Sequence, residues 1–212
     1  SEGTTTINGV LTDEENIIEL SFTVTVKSAA GNIYGFVLTD LASYGGLVWA
    51  QIPDTDPSYP EYLAATNYTI YSEEYVDGAI YAYGFDGDDW EANWQFMTID
   101  PESFEIVDMK DLGEGFPFVY DITYDYTTGT MYAVAGYDET YTDLFMVNME
   151  SGALIPVMET EPFFMSIAAA PDGTLYAMEA SKEDFDPETW ESTYSNAILY
   201  TVDVAKGTYE IA

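Results

Sequence analysis

Carboxylates crowded around a glycine are the first residues in this chain that could do chemistry: Asp86-Gly87-Asp88-Asp89. Closely spaced oxygen ligands suit a hard cation, so Asp86, Asp88 and Asp89 are candidate ligands for calcium. The competing reading is a solvated acidic loop, because the later bidentate glutamate of a calcium-binding helix-loop-helix is missing and 39 acidic residues make such clusters common. A second set is aromatic. Trp90, Trp190, Tyr137 and Tyr141 accompany Asp138, Asp184 and Asp186, and rings beside carboxylates stack sugar faces or anchor protein interfaces. With no ligand, the same rings would lid an apolar channel.

No catalytic set stands out. The 212 residues include no cysteine, histidine or arginine, and the four basic residues are Lys27, Lys110, Lys182 and Lys206. Disulfides, thiolate zinc sites, imidazole bases and guanidinium forks for phosphate are therefore excluded. Two acids at glycosidase separation would suffice for a hydrolase or lyase, but among so many acids no pair is singled out by spacing. Tyr68 and Tyr120, with Asp121, could line a channel, or pack with their hydroxyls at the surface. No cofactor is required, and calcium is the one ion these residues suit.

A net charge of −35 repels nucleic acid and anionic lipid. No run of about eighteen apolar residues is present to insert in a membrane. The remaining partners are a protein or a carbohydrate. Acidity without cysteine suits a bacterial extracellular or cell-surface protein, with the cytoplasm as the alternative.

The elements that must position these residues recur along the chain. Gly31-Asn32-Ile33-Tyr34, Gly78-Ala79-Ile80-Tyr81, Gly129-Thr130-Met131-Tyr132 and Gly173-Thr174-Leu175-Tyr176 repeat one pattern at intervals of roughly 44 to 51 residues. The glycine tolerates the positive φ of a tight reversal, and the residues after it read as a strand. Further along, Ile99-Asp100, Val147-Asn148 and Val202-Asp203 each end a strand in a turn. Phe116-Pro117-Phe118 and Glu161-Pro162-Phe163 open the third and fourth units alike.

The period is that of a four-stranded blade, so the expected fold is all-β, a β-propeller of about four four-stranded antiparallel blades with little or no helix. The blades fall at approximately 17–66, 67–115, 116–160 and 161–212. Residues 1–16 are a tail, or supply a closing strand through 7–11. Four units could close on themselves, belong to a larger propeller, or form an open arc completed by a second copy of the chain.

These repeats resemble the YVTN, NHL and quinoprotein-like propeller families over residues 17–212. The resemblance implies that the loops between second and third strands gather on one face. They are 39–45, 85–91, 136–142 and 180–195, and they carry Asp86, Asp88, Asp89, Trp90, Tyr137, Asp138, Tyr141, Asp184, Asp186 and Trp190. The expectation is a binding module that uses this face. The alternatives are a polysaccharide-active enzyme using carboxylates or tyrosine, and a purely structural repeat of a longer surface protein.

Overall fold

The computed structural model describes residues 3–12, 17–26, 33–38, 47–53, 60–87, 93–137, 141–186 and 191–212; for 3–12, 17–26, 33, 37–38, 180–186 and 191–196 the backbone alone is described. All elements among them are strands: β1 (Gly3–Thr12), β2 (Ile17–Val26), β3 (Ile33–Leu38), β4 (Leu47–Ile52), β5 (Glu61–Ala65), β6 (Tyr68–Val76), β7 (Ala79–Asp86), β8 (Gln95–Ile99), β9 (Ile106–Asp111), β10 (Phe118–Asp125), β11 (Thr130–Gly136), β12 (Asp143–Val147), β13 (Leu154–Met158), β14 (Phe164–Ala169), β15 (Leu175–Asp186), β16 (Glu191–Asp203) and β17 (Thr208–Ile211). No described residue is helical, and the fold is an all-β propeller. Three blades have the expected four strands, in the orders β6-β7-β8-β9, β10-β11-β12-β13 and β14-β15-β16-β17. The first has three, β3-β4-β5.

The chain divides into two compact units, Ser1–Gly35 with Ala50–Leu63, and Phe36–Trp49 with Ala64–Ala212. In the first unit β1 and β2 pair over their full length, from Gly3 opposite Val26 to Thr12 opposite Ile17. Residues 17–26, read from sequence as the innermost strand of a first blade, and residues 7–11, read as a closing strand, thus pair with each other. A local hairpin needs little loop-closure entropy, which favours this partner over one distant in sequence.

In the second unit the repeats become turns. Gly78, Gly129 and Gly173 have φ of +94°, +69° and +86°, the region that glycine enters without penalty. At the other repeated mark the polar side chain caps its own turn. Asp100 Oδ1 accepts from the backbone N–H groups of Glu102 and Ser103, Asn148 Oδ1 from those of Glu150 and Ser151, and Asp203 Oδ1 from that of Lys206.

Strand alternation then buries both faces of each inner sheet. Met131, Ala133 and Ala135 of β11 pack with Tyr83, Phe85, Trp94 and Phe96 of the second blade. Tyr132 and Val134, on the opposite face, pack with Phe164, Ile167, Leu175 and Tyr200 of the fourth. Two sandwiched layers follow from a period of two.

Candidate functional site

The site is built on a repeated irregularity. The inner strands β6, β10 and β14 each slip register once: between Ile70 and Ser72, between Val119 and Asp121, and between Phe164 and Ser166. Each bulge faces the third residue after the repeat tyrosine, namely Gly84, Ala135 or Glu179. The extra residues are Tyr71, Tyr120 and Met165. Bulges bend a strand and re-aim its side chains, and here Tyr71 and Met165 are exposed while Tyr120 is half-buried. Gly84 is required opposite the first bulge, since a Cβ there would lie 2.1 Å from the Thr69 carbonyl oxygen.

Around the bulges runs a belt of rings. Tyr71 meets Phe118 edge-on with centroids 4.3 Å apart, Phe118 meets Tyr120 at 4.6 Å, and Tyr120 meets Phe163 at 4.9 Å. Buried Trp94 supports the belt from below, 4.9 Å from Phe118. These edge-on and tilted pairs suit the ring quadrupole and hold one another in place.

Beyond the bulges, three half-buried carboxylates follow along the inner strands. Asp121 accepts from Ser166 Oγ at 2.8 Å and from the Ile167 N–H at 2.9 Å. Glu74 accepts from the Tyr124 N–H and the Thr123 hydroxyl, and Glu73 from the Phe36 N–H at 3.5 Å. Burial pushes all three carboxyls above their ordinary range despite these donors, and mutual repulsion adds to the shift of Glu73 and Glu74. Ser72 lies beside them, 3% exposed, and its hydroxyl has no hydrogen-bond partner among the described residues. A buried hydroxyl left so costs about 1–3 kcal/mol.

Of the residues singled out from sequence, Tyr68, Asp86, Tyr137 and Tyr141 fall at the same end of the blades. Tyr68, which opens β6, pairs with Asp86, which ends β7, and Phe118 pairs with Gly136, next to Tyr137. Asp86, Tyr137 and Tyr141 are exposed, the last two by 74% and 44%. Tyr141 precedes buried Thr142, whose Oγ accepts from the Phe164 N–H at 2.9 Å and so fixes this connection to β14. Asp184 and Asp186, expected in a loop, stand on β15 opposite Thr193 and Glu191 of β16. The long β15-β16 hairpin thus carries pairing well beyond the blade. Asp88, Asp89, Trp90, Asp138 and Trp190 lie outside the described residues.

Among the described residues no three acids are placed to hold a metal ion. A cavity of about 630 Å³ sits at the opposite end, between the turns of the third and fourth blades, lined by Asp125, Thr128, Gly173, Lys206 and Tyr209 among others. It is open, and its one lysine is already paired with Asp203 at 2.6 Å. Tyr120 and Asp121 are among the candidates the sequence offers for lining a channel, but the bulges themselves, with Tyr71 and Met165, are not legible in it; their signal is only an aromatic or methionine at one fixed place in each repeat.

No family model and no curated protein matches the sequence. Solved structures do. Bacteroides ovatus Xyloglucan PUL GH43B matches with a TM-score of 0.52 and 14% identity, over 97% of this chain and 40% of that one. TolB from Acinetobacter baumannii matches over 98% of this chain and 68% of its own, with 9% identity and a TM-score of 0.42. A quinonprotein alcohol dehydrogenase-like protein from Bacteroides thetaiotaomicron matches over 100% and 58%, with 11% identity and a TM-score of 0.39. The chain therefore spans less than half of the GH43B chain, and at these identities what it shares is a fold, that of the β-propeller.

Proposed function

We propose that this chain is a binding module of a bacterial extracellular or cell-surface protein, and that it takes a protein or carbohydrate ligand on the rim formed by Tyr71, Phe118, Tyr120, Phe163 and Met165. The observation that carries this reading is the bulge repeated in three successive inner strands, each with an aromatic or methionine as its extra residue, Tyr71 and Met165 exposed and Tyr120 half-buried between them. Aromatic residues and methionine are enriched at protein interfaces, which places a protein partner first. Flat sugar faces stack on the same rings, and the GH43B neighbour is named for xyloglucan, so neutral glycans such as xyloglucan belong in the first screen. Tyr137 and Tyr141 extend the rim on the same end, with Trp90, Asp138, Asp184, Asp186 and Trp190 as its outer contacts. The extracellular placement is supported by the acidity and the lack of cysteine.

The test is a screen of peptide and glycan libraries against wild type and the Tyr71→Ala/Tyr120→Ala double variant. A ligand retained by wild type and lost by a variant that melts at the same temperature supports the reading. Equal retention by both removes the rim from the function.

Glu73 and Asp121, two half-buried carboxylates that burial raises above their ordinary range, support a second reading as a polysaccharide hydrolase or lyase. Turnover of a polysaccharide that vanishes in Asp121→Asn would establish it. Calcium on Asp86, Asp88 and Asp89 is a further part of the proposal, resting on their spacing around Gly87. A melting temperature unmoved by millimolar calcium would remove it.

A further inference from the structure

We propose that the bulge aromatics and the carboxylates behind them form one site for a primary ammonium, supplied by a lysine side chain of a basic protein segment. This inference rests on the rim being a binding surface and names the chemistry of what it binds. Its first support is an imbalance of charge. Buried charges are ordinarily paired, yet β6, β10 and β14 contain no basic residue at all. The two lysines with described side chains are engaged elsewhere, Lys110 with Asp108 at 2.7 Å and Lys206 with Asp203 at 2.6 Å. Glu73, Glu74 and Asp121 therefore meet hydrogen-bond donors and each other, and no cation among the described residues.

The second support is independent of the acids. Ser72 and Glu74 point to the same side of β6, since side chains alternate along a strand. Glu74 reaches Thr123 and Tyr124 of β10, so Ser72, two residues earlier, faces β10 level with Asp121. An acceptor with free lone pairs thus joins the carboxylates at the place where Asp121 already binds Ser166 and Ile167. Ser72, Glu74 and Asp121 give three acceptors, matching the three N–H donors of an ammonium, while Glu73 points to the other side of β6, toward the Phe36 N–H. Next to them on the same strands stand Tyr71 and Tyr120, whose rings attract cations and would cover an aliphatic stem. The field of a chain with net charge −35 draws a basic segment toward the site.

The test titrates the full chain by NMR with n-butylammonium, with n-butanol as a neutral probe of the same shape, in about 150 mM salt, where the Debye length is about 8 Å. Acetyl-Gly-Lys-Gly-amide and a glucosamine oligomer form two further arms. The site predicts saturable shifts of the Tyr71 and Tyr120 rings with butylammonium and the lysine peptide, absent with butanol. Affinity should fall about tenfold or more in Glu74→Gln and in Asp121→Asn, fall in Ser72→Ala, and hold in the exposed control Glu102→Gln. Because Asp121 also joins two strands, Ser72→Ala keeps the test decisive if Asp121→Asn is poorly folded. Equal response to butanol, or equal affinity in Glu74→Gln and Glu102→Gln, overturns the proposal by leaving only overall charge. Competition by the glucosamine oligomer alone overturns it in favour of an amino-sugar ligand. A ligand lost in Tyr71→Ala/Tyr120→Ala but kept in Glu74→Gln and Ser72→Ala preserves the rim and removes the ammonium site.

Discussion

Asp121 of β10 accepts a hydrogen bond from the hydroxyl of Ser166 on β14 at 2.8 Å, joining two blades through a carboxylate. Neighbouring inner strands belong to different sheets, so no backbone ladder links them. Side chains do this instead. Glu74 makes the corresponding link from β6 to β10, and Thr123 Oγ accepts the Ala169 N–H at 3.0 Å.

The protonation of these carboxylates sets a pH dependence. Burial raises Glu73 and Glu74 above their ordinary 4.5 and Asp121 above 3.8, so folding takes up protons at these sites. Their contribution is fully present below the ordinary values and is lost as pH rises through the raised ones. Glu73→Gln, which keeps an acceptor for the Phe36 N–H, should raise the denaturant midpoint at pH 7.5 and change it much less at pH 4. A midpoint lowered at pH 7.5 would show that the charged form is the stabilising one.

Asp125 behaves in the opposite sense. Thr128 Oγ at 2.6 Å, then Thr127 through Oγ at 2.7 Å and its N–H at 2.8 Å, donate to its carboxylate and hold it below the usual 3.8. Its contribution is present above that value and is lost as pH falls through the lowered one. Asp125→Ala should cost about 2 kcal/mol in urea unfolding at pH 7, with a smaller loss at pH 2.5. A loss independent of pH would assign the effect to packing.

Tyr83 and Gly152 lock the second blade to the third. The Tyr83 hydroxyl, fully buried, donates to the Gly152 carbonyl at 2.7 Å, and a Cβ on Gly152 would lie 2.3 Å from Phe96 Cβ. Tyr83→Phe should cost about 1–2 kcal/mol by leaving a buried carbonyl unmet. Gly152→Ala should cost more, because its φ of +73° adds strain to the clash. Equal melting temperatures for the two variants would mean that the turn moves aside.

Tyr200 donates to Glu179 Oε2 at 2.7 Å, and this bond, with burial behind it, pushes the phenol up to about 12. Glu179→Gln should bring its ionisation back toward the ordinary value of 10, read as earlier phenolate absorbance in an alkaline titration. An unchanged curve would assign the shift to burial alone.

What could be read from the sequence was local. Gly129 needs positive φ and Asn148 caps the turn in which it sits, so both announce themselves within a few residues. The link from Asp121 to Ser166 spans 45 positions and depends on register, which composition does not carry. A bulge is harder still, because it is a difference in residue count between partners and favours no residue type strongly; Tyr71, Tyr120 and Met165 share only their place. Asp184 and Asp186 fall within the loop 180–195 that the propeller resemblance implies, yet β15 continues through them.

The three extra residues belong to three different sheets but differ in setting: Tyr71 and Met165 are exposed, whereas Tyr120 packs partly against the core between Phe118 and Phe163. Tyr71 and Met165 can therefore be exchanged singly while the interior of the neighbouring blades keeps its shape. On the proposed binding role, a lineage, or an engineer, could retune recognition at those two positions one at a time, on a frame that does not need to be rebuilt.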